Sequence, residues 1–131
     1  MTTPMLILST AVVGSLLVLS APTTASAVGP GVVSTATCTQ GANAMLTLSH
    51  DDGHVEAEIE LHTDQAGQMW KVRFYNENVK ALTVSQRADS EDGGGTLSVS
   101  RLLTNHAGTD RITATATNQV TEERCVVRAT L

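Results

Sequence analysis

Hydrophobic and polar residues alternate with a period of two along most of the chain beyond residue 32. The clearest run is His54 to His62, where Val55, Ala57, Ile59 and Leu61 interleave with Glu56, Glu58 and Glu60. Side chains on a strand point alternately to its two faces. This run therefore predicts a strand with an apolar face inside and a row of carboxylates outside. The same pattern recurs at Val33–Thr39, Ala44–Ser49, Trp70–Phe74, Val79–Arg87, Leu97–Leu103, Ile112–Ala116 and Cys125–Ala129. Turn residues separate the runs: Asp51-Asp52-Gly53, Asp64–Gln68, Asn76-Glu77-Asn78, Asn105–Thr109 and Asn118–Thr121. Such residues tolerate the backbone angles of tight turns. Asp89 to Gly95 reads as the most flexible loop, because three glycines end it. Helical periodicity is absent. The expectation is an all-β domain of seven to eight strands in two antiparallel sheets packed face to face. A flattened barrel is the alternative closure.

The first residues break this pattern. Leu6 to Ser20 is a charge-free apolar run, followed by Pro22 and by the small-residue motif Ala25-Ser26-Ala27. That order predicts a secretory signal-peptide helix over residues 1–27, cleaved after Ala27. The run is shorter than the roughly 20 residues that span a bilayer. The leader lacks the usual Lys or Arg, so its positive end rests on the terminal amine. The expected organisation is a signal peptide at 1–27, a short N-terminal tail at 28–32 and one β-sandwich domain at 33–131. The expected location is secreted and extracellular, with no membrane contact after cleavage.

Composition then raises a question of stability. The chain has one Trp, one Phe and one Tyr, so aliphatic side chains must supply most of the core. A small domain with few rings needs a covalent staple. Cys38 and Cys125 are the two cysteines, and export places them in an oxidising compartment. A disulfide between the first and last strands is expected. Closing so long a loop contributes about 4–5 kcal/mol in the chain-entropy view. The net charge of −5 argues against binding nucleic acid through phosphate neutralisation. No basic amphipathic helix is available for an anionic membrane.

Two local features resemble immunoglobulin-like domains. Trp70 lies on a strand about a third of the way along, where such domains carry a buried Trp. Ala107-Gly108-Thr109, leading into Asp110–Asn118, is similar to their corner and penultimate strand. The sequence departs from them in having Ala57 and Ala114 where an inter-sheet cysteine pair would stand, and no tyrosine at the corner. The chain also resembles a loose group of small secreted actinobacterial proteins of uncharacterised function. The shared features are Cys38, Asp51-Asp52-Gly53, Gly67-Gln68-Met69-Trp70, Ala107–Ile112 and Cys125. The resemblance implies export and an immunoglobulin-like β-sandwich, and carries no catalytic residue with it.

Candidate chemistry is sparse. If Thr63–Gln68 closes a simple hairpin, Glu60 falls opposite Lys71 and Glu58 opposite Arg73. The carboxylate row is then a charge-paired outer face. His50, Asp51, Asp52 and His54 surround one turn and are candidate ligands for zinc or nickel, with an Asp-rich hairpin tip as the bland reading. Asp89-Ser90-Glu91-Asp92 carries oxygens suited to calcium but lacks the spacing of a calcium loop. No nucleophile motif appears, no cleft flanked by paired carboxylates is expected, and no cofactor is implied. The expected function is a secreted, non-enzymatic binding or interaction module for an extracellular protein or cell-wall component. An inhibitor of an extracellular enzyme and a small metal-responsive extracellular protein are the alternatives.

Overall fold

The computed structural model describes residues 31–91 and 93–131. The expected signal peptide and most of the tail lie outside the described residues. Among the described residues there are nine strands and no helix. They are β1 (Val32–Thr37), β2 (Asn43–Asp51), β3 (His54–Thr63), β4 (Met69–Asn76), β5 (Val79–Arg87), β6 (Asp89–Glu91), β7 (Gly94–Thr104), β8 (Arg111–Asn118) and β9 (Arg124–Thr130). All pairings are antiparallel, in a five-stranded sheet ordered β1-β2-β3-β7-β6 and a four-stranded sheet ordered β5-β4-β8-β9.

Turn chemistry sets the local pairings. Asp52 and Gly53 have φ of 50° and 81°, and Asp51 pairs with His54 across them. Two positive φ values make a primed two-residue turn, whose twist suits a hairpin. Glu77 and Asn78, at 49° and 70°, do the same between β4 and β5, where Asn76 pairs with Val79. With these registers fixed, every inward position of β3 is buried. Val55, Ala57, Ile59 and Leu61 are inaccessible to solvent, as are Trp70, Val72 and Phe74 on β4. Each fully buried Leu, Ile, Val or Phe side chain contributes about 1.5–3 kcal/mol.

Two expectations are overturned here. First, β3 and β4 do not form a hairpin. The chain crosses from the five-stranded to the four-stranded sheet between them, and β3 pairs with β2 and β7 instead. Second, Asp89–Gly95 is not a free loop. Asp89–Glu91 forms the edge strand β6, and Gly94 and Gly95 begin β7. The glycines serve close approach rather than mobility. A Cβ on Gly94 would stand 2.1 Å from the Thr63 carbonyl oxygen, and one on Gly95 would stand 2.9 Å from that of Gln65. The β3–β4 crossover lies directly against the start of β7, and only residues without a side chain permit this.

The two ends of the domain are fastened together. Cys38, just past β1, is bonded to Cys125 on β9. Beside the bond, the buried Glu123 accepts hydrogen bonds at Oε2 from the backbone N–H of Gln40 (2.9 Å) and Ala42 (3.1 Å). The Thr39 N–H donates to the Arg124 carbonyl, and the Arg124 N–H donates to the Thr39 hydroxyl. One buried carboxylate thus satisfies two amides of a turn that has no sheet partner for them.

Candidate binding face

The outer face of the five-stranded sheet carries the carboxylate row, and its neighbours are not the expected ones. Glu58 lies between Thr47 and Ser100 in the ladders, and Glu60 between Met45 and Ser98. Lys71 and Arg73 sit on the other sheet. The partners are hydroxyls and an imidazole. Ser98 donates to Glu58 (2.9 Å), Ser100 donates to Glu56 (2.8 Å), and His62 Nε2 is 2.5 Å from Glu60 Oε1. The other ring nitrogen of His62 is 3.4 Å from Glu91 Oε2 on β6. Every carboxylate of the row therefore has a partner within its own sheet.

The four-stranded sheet is the reverse. Its strands hold Lys71, Arg73, Lys80, Arg87, Arg111, Arg124 and Arg128, seven of the chain's eight basic residues, and no Asp or Glu. Most inward positions are apolar, so alternation turns these cations outward, except Lys80, which the register irregularity between Phe74 and Tyr75 sets opposite the outward Tyr75. The register arranges them in rows. Lys71, Thr117 and Arg124 lie abreast; so do Arg73, Thr115 and Val126; so do Lys80, Tyr75, Thr113 and Arg128. Among the described residues, the only ion pair on this face is Arg111 with Glu77, at 4.0 Å. Lys71, Arg73, Lys80, Arg124 and Arg128 face no carboxylate of the described residues within that distance. An open groove of about 230 Å³ crosses the face, lined by Tyr75, Asn78, Thr113, Thr115, Arg124, Val126 and Arg128.

The acidic face does not neutralise the basic one. Sheets pack about 10 Å apart, so charges on the two outer faces are separated by roughly 20 Å. That is more than two Debye lengths, each about 8 Å at physiological salt. Net charge is therefore a poor guide to the field at either face. The signal was available in the sequence: charge counted strand by strand, rather than over the chain, separates the two sheets.

The other candidate residues are placed as follows. Asp51 and His54 face each other across the β2–β3 turn, on the outer side with Glu56. His50 shares the parity of Leu46 and Leu48 and so points to the opposite side. Asp52 occupies the turn itself. Among the described residues, no group of three or more His, Cys, Asp or Glu side chains stands close enough to hold a metal ion. Asp89, Ser90 and Glu91 are exposed on β6 and pair with β7.

Pattern reading missed one buried polar corner. Asp110 is fully buried, and its Oδ1 accepts from Asn76 Nδ2 (2.7 Å) and from the His106 N–H (3.3 Å). Its backbone exchanges two hydrogen bonds with Leu131. The corner fixes the entry to β8 and ties down the end of β9. A roomier hollow, about 450 Å³, lies elsewhere, along Thr35–Thr37, Asn43–Met45 and His62. Its lining has no charged cluster, and volume alone does not make a site. Comparison of the chain with protein-family models, with curated proteins and with solved structures finds no match to any of them.

Proposed function

We propose that the protein is a secreted, non-enzymatic interaction module with an immunoglobulin-like sandwich, working through the basic outer face of its four-stranded sheet. The observation that carries this reading is the segregation of charge by sheet. The carboxylates have partners within their own sheet, whereas five cations on the other face have none among the described residues. Holding two like charges about 10 Å apart costs about 0.4 kcal/mol even in bulk water. An anionic partner removes that cost and gains charge-assisted hydrogen bonds.

Strand order supports the immunoglobulin-like reading. Taking β3 as strand B and β4 as strand C, β6, β7, β8 and β9 fall in the places of D, E, F and G. The sheets then carry B-E-D and C′-C-F-G neighbours, with Trp70 buried on strand C. The Cys38–Cys125 bond supports an oxidising, extracellular setting.

The test is binding of the purified domain to the producing organism's extracellular and wall material across a salt series. Expected is binding that falls with salt and is lost in Lys71→Glu/Arg128→Glu, while Glu58→Gln on the opposite face leaves it unchanged. Equal binding by all three proteins would sink the proposal.

A further inference from the structure

We infer that the groove on the basic face binds an anionic polysaccharide laid along β8. The inference rests on the reading of that face as the working surface. The three outward residues of β8 in this region are Thr113, Thr115 and Thr117, and cations flank them on both neighbouring strands: Lys71 and Arg73 on β4, Arg124 and Arg128 on β9. Short side chains on the middle strand between long ones form a trough. Thr115 shows its depth, since it points outward yet is only 7% exposed. From Thr113 to Thr117 the trough runs about 13 Å, at 3.2–3.4 Å per residue.

The lining selects the ligand class. The guanidinium groups of Arg124 and Arg128 in the lining, with Lys71 and Arg73 on the other side of β8, suit carboxylate, sulfate or phosphate substituents. Threonine hydroxyls both donate and accept, as sugar hydroxyls do. Tyr75 is the one aromatic residue on the face, which is poor provision for stacking a series of bases. A protein partner is also poorly served. Protein interfaces centre on apolar and aromatic anchors, and besides Tyr75 the groove's lining offers Val126 alone as an apolar side chain. A linear, hydroxyl-rich, negatively charged chain matches all of these features together.

The experiment measures binding of polygalacturonate and heparin, with neutral dextran and duplex DNA as comparators. The proteins are wild type, Thr113→Val/Thr115→Val and Arg124→Gln/Arg128→Gln, with thermal unfolding run on each to establish that it folds. Expected is binding of both anionic polysaccharides and not of dextran. The arginine variant should weaken it tenfold or more, and the threonine variant several-fold with all cations present. Duplex DNA bound as tightly as the polysaccharides, with no loss in the threonine variant, would overturn the ligand class and leave the working face intact. No polyanion bound by wild type would overturn both.

Discussion

The two outer faces of this sandwich are built by the same rule and end in opposite conditions. Each has charged residues at every second position on a central strand: Glu56, Glu58 and Glu60 on β3, Lys71 and Arg73 on β4. Around the carboxylates the neighbouring strand supplies Ser98 and Ser100 as donors, and His62 closes the end of the row. Around the cations the neighbouring strands supply more cations and threonines that make no bond to them. A row of charges is thus not by itself a sign of function. What distinguishes the faces is whether the protein has already answered the charges.

The largest effect should come from removing what the two faces share. Cys38→Ser/Cys125→Ser deletes the bond that closes the core under both of them. Denaturant titration should show a loss of about 4–5 kcal/mol, a large share of the roughly 5–15 kcal/mol that stabilises a domain of this size. Loss of both faces together, rather than one, is the expected signature.

The next largest breaks the comparison on one side. Replacing Lys71, Arg73, Arg124 and Arg128 by Gln should reduce binding to an anionic polysaccharide about 100-fold or more. The dependence of affinity on salt should also flatten. Both are measurable in one salt series, because a polyanion's bound counterions are released in proportion to the cations engaged. Folding stability should hold or rise slightly as like-charge repulsion is relieved.

The smallest sharpens the comparison on the other side. Ser98→Ala/Ser100→Ala takes the hydroxyl partners from Glu58 and Glu56, and should cost about 1 kcal/mol or less in urea unfolding, since water replaces an exposed donor. Binding should not change. A serine variant that altered polysaccharide binding would mean that the acidic face also works.

Much of the fold was legible because the side-chain period of a strand is two. Val55 to Leu61, Trp70 and Phe74 could be assigned inward from alternation alone, and one slip in register would have exposed them all. Pairing was not legible. A five-residue connection such as Asp64–Gln68 suits a hairpin or a crossover equally, and alternation on β3 is the same whichever strand lies beside it. The glycine run misled for a related reason. Composition shows that Gly94 and Gly95 lack side chains, but not that the Thr63–Ala66 crossover presses against them. The basic face went unseen because its cations come from four strands between residues 71 and 128. Two-sheet packing gathers them while the net charge stays negative.

The disulfide has a mechanical consequence. Force that enters before Cys38 and leaves after Cys125 passes through the sulfur bridge, so the span between the cysteines, 87 positions apart in sequence, carries no tension. Lys71, Arg73, Arg124 and the threonines of β8 lie inside the shielded span, whereas Arg128 lies beyond it. A steady pull would peel β1 and the end of β9 and take Arg128 from one wall of the trough. The rest of the grip would hold until the bond itself was cut.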